Sequence, residues 1–134
     1  MKAIDTNVLV RFLVNDDRAQ AAQVRERFTT AEQRREAFYV PLLVLLETIW
    51  VLESAYQIRR AEIIEALGEL LLMPVLQFEQ REAVLAMLRA AKETNLDLPD
   101  ALIAHSPLHM GCESVLTFDQ KAARGAGFEL LQSA

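Results

Sequence analysis

Residues 1–13, MKAIDTNVLVRFL, decide the fold. Ala3 and Ile4 read as a short buried strand, Asp5 or Thr6 as a helix cap, and residues 7–14 as a helix. A strand that passes directly into a helix opens an alternating α/β chain, and the same alternation continues to the last residues.

Asn15-Asp16-Asp17 reads as a turn. Over residues 18–36 the apolar positions Ala21, Val24 and Phe28 recur at helical spacing among charges, the pattern of an amphipathic helix. Phe38-Tyr39-Val40 forms the next strand. Pro41 opens a long helix through about residue 56, and a further helix over 61–73 is closed by Pro74. Residues 75–78 are a third strand. Helices over about 80–94 and 99–110 lead to a strand over 115–117, a short helix from Gln120 and a last strand over 128–131. Short strands separated by helices predict an α/β fold in three layers, α/β/α, with a short-stranded, mainly parallel central sheet.

The chain has 134 residues, 52% of them hydrophobic, with only four Gly and four Pro. That composition supports a compact core and excludes a disordered chain, so residues 1–134 are expected to form a single domain. The longest apolar run, residues 40–46, is broken by Glu47, too short to cross a bilayer, and the first residues show no basic leader ahead of an apolar stretch. A soluble, cytoplasmic protein without membrane contact is expected. The lone Cys112 supplies neither an internal disulfide nor the paired thiolates of a structural zinc site.

The net charge of −5 opposes nucleic-acid binding, because affinity for a phosphate backbone comes largely from Lys and Arg. The objection weakens where acids hold divalent cations, which invert the local field. Arg25, Arg27, Arg34, Arg35, Arg59 and Arg60 crowd the first half of the chain, and a solvated helix face accounts for them ahead of a substrate stripe.

In parallel sheets, ligands collect where strands lead into helices. Asp5 follows the first strand, Asp119 follows the strand over 115–117, and Asp100 lies in the first turn of a helix. Each alone is explained by helix capping, and Asp97 with Asp100 resembles a capping box. Glu47 is different. Its neighbours one turn away, Leu43, Val44, Trp50 and Val51, are all apolar, so a buried carboxylate in need of a non-local partner is expected. Four carboxylates gathered at one edge would repel, and hard divalent ions such as Mg2+ or Mn2+ resolve that repulsion.

MKAIDTNVLVRFL, LLETIWVLESAY, LDLPDALIA and GCESVLTFDQKAAR, in that order over nearly the whole chain, resemble the PIN-domain family, specifically the VapC toxins of bacterial toxin-antitoxin pairs. The resemblance implies an endoribonuclease using Mg2+ or Mn2+ on an RNA substrate and held inactive by a cognate antitoxin, with homodimerisation general in the family. Position by position, it puts the acidic quartet on Asp5, Glu47, Asp100 and Asp119, with Asp97 as an extra acid. The small polar helpers fall on Thr6, Asn7 and Thr117. Lys121 and Arg124, just past Asp119, are candidates for phosphate contact, with an ordinary solvated helix face as the competing reading.

Pro107 departs from the common pattern and is expected to kink or end its helix early. His105, His109 and Cys112 follow at one-turn spacing but lack a paired-Cys signature, so no zinc site is expected. Trp50 is assigned to packing. Rival readings are a catalytically silent PIN-like binding protein, a receiver domain, which would need an acidic pair after the first strand, and a dehalogenase-type phosphatase, which would need a second Asp where Asn7 stands.

Overall fold

The computed structural model describes residues 1–125 and 127–132. Its backbone divides into two compact units, residues 1–79 and 80–134.

The first unit holds strand β1 (Lys2–Ala3), helices α1 (Thr6–Leu13) and α2 (Arg18–Gln33), strand β2 (Phe38–Val40), helices α3 (Leu42–Ser54) and α4 (Arg60–Leu71), and strand β3 (Leu76–Phe78). The strands pair in the order β1-β2-β3, all parallel, with Lys2 opposite Phe38 and Phe38 opposite Leu76. Parallel neighbours need a crossover, and each connection here is a helix pair. Leu9 and Val10 of α1, Val40 of β2, Leu45, Ile49 and Leu52 of α3, and Ile63 and Leu67 of α4 are buried. Phe28 of α2 lies between Phe12 and Phe38, with ring centroids 5.1 and 5.6 Å away.

Two local devices set the helix ends. Asp17 caps α2 by accepting the Gln20 N–H at 3.0 Å. At its far end Arg35 takes a left-handed conformation (φ 56°), with the Glu36 N–H donating to the Ala31 carbonyl and the Arg35 N–H to the Glu32 carbonyl. Those paired bonds close the helix in a position where glycine is the usual residue.

The second unit holds α5 (Arg81–Glu93), α6 (Leu98–His109), β4 (Val115–Thr117), α7 (Gln120–Ala123) and β5 (Phe128–Leu130), with β4 and β5 parallel. Val84, Met87 and Leu88 of α5 and Leu98, Ala101 and Leu102 of α6 are buried. Gly127 sits at φ +95°, and a Cβ there would meet Leu108 Cδ1 at 3.1 Å and Ala104 Cβ at 3.2 Å. The loop into β5 therefore passes close over α6, and the positive φ together with that tight approach favours glycine.

Pro107 does not end α6 ahead of its expected limit. It lies inside the helix, which runs two residues further to His109. The turn beyond restores the ending: the Cys112 N–H donates to the Pro107 carbonyl and the Gly111 N–H to the Leu108 carbonyl, with Gly111 at φ +97°. Among the described residues, no helix is long and apolar enough to cross a membrane.

Candidate active site

Asp5 stands at the carboxyl end of β1 as the N-cap of α1, where its Oδ1 accepts the Asn7 N–H at 3.0 Å. Capping occupies one carboxylate oxygen, and Asp5 is exposed. Thr6, the first residue of α1, is buried, and its hydroxyl donates to Glu47 Oε1 from 41 residues away. The first unit thus brings Glu47 beside the residue that follows Asp5.

Glu47 itself corrects the expectation of a carboxylate enclosed by apolar neighbours. Helix α3 is apolar on nearly every side, but it buries only the stripe Leu45, Thr48, Ile49 and Leu52. Glu47 lies on the opposite, exposed side, with Leu43 (80% exposed) and Trp50 (61% exposed). The non-local partner exists and is Thr6. Trp50 is correspondingly not a core residue of this chain.

In the second unit Asp119 is the N-cap of α7, with Oδ1 accepting the Lys121 and Ala122 N–H groups at 2.9 and 3.2 Å. Its own N–H donates to the Thr117 hydroxyl at 3.0 Å, so Thr117 sets the turn that presents the carboxylate. Asp97 is the N-cap residue of α6 by position, yet its side chain makes no capping hydrogen bond, and the capping-box reading of Asp97 and Asp100 does not hold. Asp100, in the first turn of α6, is partly buried. Its carboxyl is pushed above the ordinary range, first by burial, then by the negative charges of Asp97 and Asp119, with Lys121 opposing the shift. Asp97, Asp119 and Lys121 thus all act on the Asp100 carboxyl electrostatically.

Sequence reasoning missed Glu79, immediately after β3. Its Oε1 accepts the Leu42 N–H at 2.7 Å and so caps α3 from another strand end. An acid directly after a strand, as at Asp5, was the available signal. Burial, and then Glu79, raise the Tyr39 hydroxyl above its usual pKa.

His105 and His109 lie on α6 with ring centroids 6.4 Å apart. His109 Nδ1 is 2.9 Å from the His105 carbonyl oxygen, so that nitrogen carries the proton, and burial followed by His109 lowers the His105 pKa. Among the described residues, no group of three or more His, Cys, Asp and Glu side chains within either unit is placed to hold a metal ion.

Parallel strands joined by helices, with acids set at the strand ends and first turns, define a class, and comparison of the whole chain with known families names it. The chain belongs to the PIN-domain family, whose model matches residues 2–127. A PIN domain is a three-layer α/β/α fold, in line with the short parallel strands and abundant helix of both units. A curated relative is the VapC ribonuclease of Aquifex aeolicus (strain VF5), 24% identical over 121 residues that cover 90% of this chain and 89% of the relative.

Proposed function

We propose that this chain is a divalent-metal-dependent endoribonuclease, the toxin of a toxin-antitoxin pair, and that residues 1–134 act as one PIN-type nuclease domain. Membership of the family and similarity to a VapC ribonuclease support the reaction class. The observation that carries the reading is Asp100, a partly buried acid whose carboxyl is raised first by burial and then by the negative charges of Asp97 and Asp119. Carboxylates are hard oxygen donors, the ligand type that Mg2+ or Mn2+ prefers.

The residues proposed as metal ligands are Asp5 and Glu47 in the first unit and Asp100 and Asp119, joined by Asp97, in the second. When bound, Mg2+ or Mn2+ supplies Lewis-acid charge at the scissile phosphate and acidifies the attacking water. The chain's own groups prepare those ligands. Asn7, through its backbone N–H, fixes the Asp5 carboxylate. The Thr6 hydroxyl aims Glu47, and the Thr117 hydroxyl shapes the turn at Asp119. Such outer partners commonly matter 10–100-fold, roughly, in metal affinity or activity. Lys121 and Arg124 contact phosphate.

A cognate antitoxin and a second copy of the chain are part of the same reading. Leu43 and Trp50, large apolar side chains left exposed on α3, support a surface that a partner covers.

The test is direct. Purified protein should cleave RNA with added Mg2+ or Mn2+, and EDTA or Asp5→Asn should abolish cleavage. Undiminished cleavage by the Asp5→Asn protein contradicts the role given to Asp5, and an inert wild-type protein supports a silent binding role instead.

A further inference from the structure

We infer that the second unit carries a nucleotide subsite beside the acids, in a cleft of about 330 Å3 lined by Thr94, Asn95, Leu96, Lys121, Arg124 and Gly125. The inference rests on the ribonuclease reading for its biological ligand, though not for its geometry.

The lining joins two short stretches with different chemistry. Residues 94–96 lie between α5 and α6. Thr94 braces them, its hydroxyl donating to the Ala90 carbonyl at 3.0 Å and accepting the Leu96 N–H at 3.4 Å. Asn95 is exposed and brings an amide with both donor and acceptor, the equipment for reading a base edge or a ribose hydroxyl. Leu96 offers an apolar surface for a base face. Gly125 makes the close approach to it: a Cβ there would stand 3.3 Å from Leu96 Cδ2 and 3.4 Å from the Ala122 carbonyl oxygen.

The opposite side is cationic. Lys121 and Arg124 are exposed, and among the described residues neither takes part in an ion pair. In a chain of net charge −5, two unpaired cations facing one cleft concentrate the attraction for an anion. Lys121 donates its backbone N–H to Asp119 Oδ1 at 2.9 Å and Leu96 directly precedes Asp97, so the cleft opens beside those carboxylates. A phosphate seated on Lys121 and Arg124 lies near Asp119, and its nucleoside runs toward Asn95 and Leu96. The volume is at the lower end for ligand sites, roughly 300–1,000 Å3, which suits one nucleotide of a strand. Phe118, 79% exposed and next to Asp119, extends an aromatic face beside the same turn.

The experiment uses the full chain in EDTA, titrated separately with uridine 5′-monophosphate and with inorganic phosphate while backbone amide NMR signals are followed. The nucleotide should shift Asn95, Leu96, Lys121 and Gly125 and bind at least about fivefold more tightly than phosphate, because both halves of the cleft contribute. Arg124→Glu should remove that binding. Shifts elsewhere, or equal affinity for phosphate and nucleotide, overturn the subsite and leave a general anion patch. In a cleavage assay Arg124→Ala and Asn95→Ala should each lower kcat/KM by about tenfold, mainly through KM. If wild-type protein cleaves RNA while both variants keep its KM, the subsite fails alone. If wild-type protein does not cleave but the nucleotide still perturbs these amides, the ribonuclease reading fails and the subsite stands.

Discussion

Asp5 and Glu47 of the first unit and Asp97 and Asp100 of the second are held in opposite ways, while Asp119 caps its helix as Asp5 does. In the first unit each candidate ligand is satisfied by the chain: Asp5 accepts a backbone N–H and Glu47 accepts the Thr6 hydroxyl. In the second unit Asp100 has two like charges beside it, and Asp97 occupies a capping position without capping. The difference locates the electrostatic cost of the proposed function. It centres on the first turn of α6, where Asp100 is partly buried and has Asp97 and Asp119 as negative neighbours.

The largest expected effect is on activity. Asp5→Asn and Asp100→Asn should each reduce RNA cleavage by roughly two to three orders of magnitude, measured as kcat/KM on one oligoribonucleotide. Asn remains a good N-cap, so Asp5→Asn should melt within about 2 °C of wild type. A large drop in its melting temperature would mean that Asp5 serves folding and would erase the contrast between units.

Next comes Thr6→Val, which leaves Glu47 without its donor. A loss of about 1 kcal/mol in stability and about tenfold in cleavage is expected, read by urea unfolding and initial rates. Asp119→Ala and Asp97→Ala sharpen the comparison further. The first removes a cap with two N–H partners and should cost about 1 kcal/mol, whereas the second removes none and should cost nothing measurable.

The smallest shift is the most telling in sign. A carboxyl whose pKa is raised by folding contributes stability below its unfolded pKa that is lost as pH rises through the folded value. Above that window Asp100→Asn should therefore stabilise the metal-free protein, by about 2 °C in melting temperature. Asp16 behaves oppositely. The Tyr56 hydroxyl, 2.7 Å from its Oδ2, and the Arg11 guanidinium hold its pKa below 3.8, and its contribution is lost only as pH falls through that lower value.

Most of the fold was legible in the sequence. Period and punctuation place each strand within a residue or two, since Pro41, Pro74 and the Asp caps mark ends chemically. Pairing order was not legible, and neither was the network of Arg11, Gln20, Asp16 and Tyr56 that ties α1, α2 and the end of α3 together. Such contacts depend on where distant segments meet.

The candidate acids stand out in the sequence as strand-end and first-turn residues, and Glu47 has the non-local partner its apolar neighbours called for, in Thr6, but not the expected burial. A helix apolar on all sides does not disclose which stripe it buries, and α3 leaves Leu43 and Trp50 outside. At Pro107 the loss of one N–H did not end α6 early: the helix runs on to His109, and the Gly111 and Cys112 N–H groups close it on the Leu108 and Pro107 carbonyls.

One measurement bears most directly on the central claim: melting and RNA cleavage of wild type and Asp100→Asn, side by side, with EDTA and with saturating Mn2+. The account expects Mn2+ to raise the wild-type melting temperature and switch on cleavage, and to do neither for Asp100→Asn, which should be the more stable of the two in EDTA. Equal stabilisation of both proteins by Mn2+, with equal cleavage, would contradict it.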